Sequence, residues 1–147
     1  MNNAAALRRF RFGLMGMMAL LVAQYMLGMA VNLYVQFPSD LPDGNAWQWA
    51  FANSALIGAH ILVGTGLLFL AVVALVLSIP TRTTRGTVAT AIGLVMILVA
   101  FFSGATFLSS GQQAVHSFLM ALRFLGSLLA YGVGLAVARP AAASAPR

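Results

Sequence analysis

No cysteine, lysine or glutamate occurs in the 147 residues, and charged residues of any kind make up only 7%. Without cysteine there are no disulfides, thiolate metal sites, iron–sulfur clusters or covalent c-type haem attachment. Ligation is then limited to histidine, methionine and oxygen. The shortage of charge excludes a water-facing globule, because soluble domains carry about 25% charged residues. Lipid must cover what charge cannot. The balance is nevertheless basic, a net charge of +6, which would point to nucleic acid if the arginines formed one patch or stripe. They are dispersed along the chain, so nucleic acid is not the expected partner; the lipid bilayer is.

What the chain does contain is apolar sequence, 61% of its residues. Charge-free stretches run over 12–39, 44–81, 86–122 and 124–138. A membrane helix needs roughly 20 apolar residues, so the longer stretches must also hold loops. FPSDLPDG (37–44), IPTRTTRG (79–86) and LSSGQQ (108–113) are clusters of turn formers that supply the boundaries. The expected fold is all-α, a transmembrane four-helix bundle with helices at about 12–35, 54–79, 87–108 and 114–138, forming one membrane domain over 1–138. The tail RPAAASAPR (139–147) reads as a disordered extension.

Arg8, Arg9 and Arg11 precede the first span, Arg82 and Arg85 separate the second from the third, and Arg139 and Arg147 follow the fourth. All seven fall on one side, and Asp40 and Asp43 on the other. The positive-inside rule therefore predicts cytoplasmic N- and C-termini and a multi-pass protein of the cell membrane. The first apolar run is too long for the core of a signal peptide, so it is expected to stay as an uncleaved span. Trp47, Trp49 and Phe51 resemble an interfacial aromatic belt. Four helices make a small bundle, and a homodimer or a larger membrane complex is compatible with the sequence, which does not choose between them.

The polar residues of the spans collect in the expected outer half. His60 and His116 are the two histidines, on helices that run in the same direction, roughly 9 and 3 Å below the outer boundary at 1.5 Å per residue. Gln24, Gly28 and Asn32 recur every fourth residue along one face of the first helix. Gly64 lies one turn from His60 and leaves space where a flat ring could approach the backbone. His116, Met120 and Arg123 share a face of the last helix, and Arg123 is the one charge inside a span. Two imidazoles facing across a bundle can supply both axial ligands of a haem iron, with an arginine for the propionates. Zinc would need three or four ligands. The residue inventory thus nominates haem b held by His60 and His116, with Arg123, Gly64 and Asn32 lining the site. A haem-free accessory or structural subunit is the alternative, its polar groups serving helix packing. A small transporter with Arg123 on an anionic substrate is a further one.

QYMLGMAVNLYVQFPSDLPDG, AHILVGTGLLFLAVVALVL and AVHSFLMALRFLGSLLAYGV resemble the first helix and loop, the second helix and the fourth helix of one half of the haem A synthases. The resemblance implies a four-helix module with His60 and His116 as axial ligands, and it makes oxidation of a haem methyl group an open question. The chain departs from that pattern in having Ile61 after His60, in lacking a cysteine pair in the outer loop, and in carrying Arg123. It also resembles small uncharacterised four-helix bacterial membrane proteins, through a stretch similar to LGMAVNL, and this likeness implies no activity.

Overall fold

A computed structural model describes residues 3–38 and 45–138. Asp40, Asp43 and the tail 139–147, with Arg139 and Arg147, lie outside the described residues. Five α-helices follow one another: α1 (Asn3–Tyr34), α2 (Ala46–Asn53), α3 (Ala55–Ser78), α4 (Thr84–Ser109) and α5 (Ala114–Val137). All but α2 are long and apolar enough to cross a membrane, so the fold is an all-α bundle compatible with an integral membrane protein.

Two differences from the expected elements have local causes. α1 begins at Asn3 rather than near residue 12, because alanine, leucine and arginine in AALRRFR are good helix formers. A helix does not end where its charges begin. α2, expected as part of a loop, is a two-turn helix. The Asn45 side chain caps it by accepting from Gln48 N at 3.1 Å, and Ala46 and Ala50 are buried beneath it. Phe37 joins α2 to the bundle through Trp49 (ring centroids 5.4 Å) and Phe107 (5.5 Å). Trp47 Nε1 donates to Ser109 Oγ at 3.3 Å. Of the three aromatic residues expected at the interface, Trp47 and Trp49 pack this short helix onto the bundle, while Phe51 is exposed.

α3 starts on Ser54, whose hydroxyl accepts from Ile57 N at 3.3 Å. It ends in a 3-10 turn, Ile79–Thr81, closed by Arg82 in the left-handed region at φ 54°. Between α4 and α5, Gly111 and Gln112 both have positive φ, 73° and 54°, the tight reversal expected from SSGQQ.

Neighbours in the bundle are α1 with α3, α3 with α4, α4 with α5, and α5 with α1. The packing pairs show each neighbour running antiparallel. Gly13 lies by Leu77 and Gly28 by His60; Gly93 lies by Tyr131 and Gly104 by Met120; Leu14 reaches Gly134, and Tyr25 stacks on Phe124. This is up-down-up-down topology, with short connections after α3 and α4 and a longer one after α1 that carries α2.

The core divides in two. Near the end where α1 begins and α5 finishes, Phe10, Leu14, Met17 and Leu21 follow a helical spacing along α1 and pack with Leu67, Ala71, Ala74, Ile97 and Tyr131. The buried Ser78, Thr81, Thr90 and Ser127 each donate to a backbone carbonyl three or four residues earlier, as in Thr90 Oγ1 to Gly86 O at 2.7 Å. Hydroxyls satisfied this way can sit in an apolar core without an interhelical partner. At the α2 end, a second cluster gathers Ala46, Ala50, Ile57 and Leu108. Between the clusters lies a belt in which no residue of 22–34, 58–66, 98–107 or 114–126 is buried.

Candidate functional site

The polar residues singled out from sequence fall in this belt. Gln24 of α1 reaches α3, where its amide nitrogen donates to the His60 carbonyl at 3.0 Å and lies 3.3 Å from His60 Nε2. An amide N–H facing Nε2 makes that nitrogen the acceptor and puts the ring proton on Nδ1. His60 Nδ1 and Gln24 Oε1 are both buried without a partner.

Glycines make this approach possible. A Cβ on Gly28 would stand 3.0 Å from His60 Cε1, and a Cβ on Gly64 would stand 2.9 Å from Gln24 Nε2. Gly28 follows Gln24 by one turn and Gly64 follows His60 by one turn, so each helix offers a polar side chain and a hole for its partner's. Helix pairs in lipid gain most where small residues let backbones approach. The space at Gly64, expected to admit a flat ring, is filled by Gln24. The ring that does meet a glycine is His60, against Gly28.

His116 is placed differently. Tyr25 is level with Phe124, their rings stacked with centroids 5.0 Å apart. One turn beyond Tyr25 is Gly28, and one turn back from Phe124 is Met120, so His60 is level with Met120. His116 sits one further turn, about 5.4 Å, toward the α2 end. His60 packs on α1, and Met120, one turn from His116 along α5, has its sulfur toward Gly104 of α4. The helices that carry the two rings, α3 and α5, stand on opposite corners of the bundle.

Arg123 is half-buried beside the Tyr25–Phe124 stack. Its carbonyl accepts from Ser127 Oγ at 2.9 Å, and no acidic side chain lies among the described residues. Gln24 is committed to His60. Asn32 is exposed. The stripe Gln24, Gly28, Asn32 therefore splits, with its first two members inside the α1–α3 contact and its third at the surface.

Known protein families, curated proteins and solved structures offer no match to this chain.

The site's chemistry thus rests on its own residues. Among the described residues no three His, Cys, Asp or Glu side chains gather as a metal site. Axial ligation of a haem by His60 would require its Nε2 to release Gln24, so the clasp and a haem iron compete for the same nitrogen. What they do form is a neutral imidazole–amide clasp between α1 and α3. Sequence reasoning had no signal for the contact of Tyr131 with Gly93. This tyrosine is fully buried and its hydroxyl has no partner.

Proposed function

We propose that this chain is an accessory subunit of the cell membrane, with cytoplasmic termini, whose polar residues hold its helices together. The observation that carries this reading is the reciprocal seating of Gln24 over Gly64 and His60 over Gly28. It occupies both the histidine and the small-residue space that a bound cofactor would use. An interhelical hydrogen bond in lipid averages about 0.6 kcal/mol and reaches about 1.7, so the clasp is a packing element of ordinary strength. A homodimer or a larger membrane complex is the setting for such a subunit.

One observation favours a second reading, haem b for electron transfer or haem handling. The belt around His60 lacks buried residues on all four long helices, and two polar atoms there have no partner. An absorption spectrum separates the two. Protein purified in detergent after expression with ample haem, oxidised and then reduced with dithionite, is expected to be colourless and to take up no added haemin. A sharp reduced α-band at near-stoichiometric haem, lost on replacing His60 or His116, would overturn the accessory reading in favour of haem.

A further inference from the structure

At the end of α1 opposite α2, a groove of about 470 Å³ is lined by Ala4, Leu7, Arg8, Arg11, Phe12 and Met15. Its lining is graded. The two arginines lie in the first turns of the helix, while Phe12 and Met15 continue toward the bilayer, with Met15 roughly 10 Å along the axis from Arg8. Phe12 is 66% exposed and Met15 42%, as suits side chains that meet acyl chains. Arg11 is half-buried, with its Nε buried and unpartnered. No carboxylate among the described residues is available to either guanidinium. Phosphate oxygens are the acceptors that the planar fork of a guanidinium fits best.

We propose that this groove binds an anionic phospholipid, its phosphate held between Arg8 and Arg11 and its first acyl carbons lying along Phe12 and Met15. Charge at the rim with apolar side chains below it matches an amphiphile, whereas a free phosphate would use only the arginines. The assignment requires the end of α1 to lie at a membrane surface. It does not depend on whether the bundle binds haem.

The test uses the full chain in lipid nanodiscs that contain phosphatidylcholine and phosphatidylglycerol, followed by detergent extraction and counting of retained lipid by native mass spectrometry. Phosphatidylglycerol should be retained in preference to phosphatidylcholine. Each arginine of the groove would lose a hydrogen bond to a charged phosphate, so Arg8→Gln or Arg11→Gln should each lower that preference roughly tenfold. Arg82→Gln removes the same charge outside the groove and should leave it unchanged. Ala4→Glu, at an exposed position, puts a carboxylate at the rim without touching either arginine. It should lower the preference as well, which keeps the test usable should an arginine variant fold poorly. Equal retention of the two lipids would overturn the proposal. So would equal losses in Arg8→Gln and Arg82→Gln, or displacement of the lipid by inorganic phosphate alone.

Discussion

Gln24 and His60 are joined at two points, the glutamine amide nitrogen lying 3.0 Å from the histidine's carbonyl oxygen and 3.3 Å from its Nε2. The backbone bond tolerates any side chain at position 60, whereas the ring contact requires histidine. The two can therefore be separated by substitution. Gln24→Leu removes both and should destabilise the bundle by about 1 kcal/mol, within the range of interhelical hydrogen bonds in lipid. His60→Leu should cost less, because the carbonyl contact survives. A double-mutant cycle read by reversible unfolding in mixed micelles should give a coupling of several tenths of a kcal/mol. A coupling of zero would mean that the ring contact contributes nothing.

Gly28 and Gly64 can be tested by refilling the holes. Gly28→Val drives a branched side chain into the His60 ring and should destabilise by about 1–3 kcal/mol, the usual range for overpacking. His60→Ala should restore part of that loss, since it removes the atoms in the way. Gly64→Ala meets only the far end of Gln24, a flexible side chain, and should be milder. If Gly28→Val is no better tolerated with alanine at position 60, the ring is not what fills the hole.

Tyr131 and Gly93 give a more severe version of the same geometry. A Cβ on Gly93 would stand 2.6 Å from Tyr131 Cζ, in a ring that is 0% exposed and has nowhere to move. Gly93→Ala should cost about 1–3 kcal/mol. Tyr131→Phe should be neutral or slightly stabilising, because the hydroxyl it removes is buried without a partner. Thermal unfolding of the two variants beside the parent checks both signs, and a clear loss of stability in Tyr131→Phe would show that the hydroxyl has a partner in the membrane.

The α2 cap predicts a local effect. Asn45→Ala removes the acceptor for Gln48 N and should cost about 1 kcal/mol of helix stability. Because α2 packs on the α2-end cluster only, hydrogen exchange should quicken there and stay unchanged in the cluster around Tyr131. Uniform quickening along the chain would show that the two clusters unfold as one.

Much of the architecture was legible from residue patterns. Four apolar runs separated by turn formers require four long helices, since lipid leaves the backbone no other way to satisfy its hydrogen bonds. The start of α1 was not legible, because charge marks the bilayer's edge and not the helix's. α2 was missed because AWQWAFAN is too short for a periodic pattern to stand out, and its signals, the Asn45 cap and two alanines four apart, are weak singly. The polar residues were found by type, but their pairing was not. His60 and His116 look alike in sequence, each in an apolar run on a helix of the same direction.

The sequence alone determined that this chain is a bundle of long apolar helices, because composition and run length are summed properties that no particular packing alters. Only the tertiary structure decided that Gln24 meets His60, that His60 lies against Gly28, and that Tyr131 lies over Gly93. Those facts depend on the rotation and axial register of whole helices. Register is set by how glycine holes and side-chain knobs match between neighbours, and that information belongs to pairs of helices, not to either helix alone.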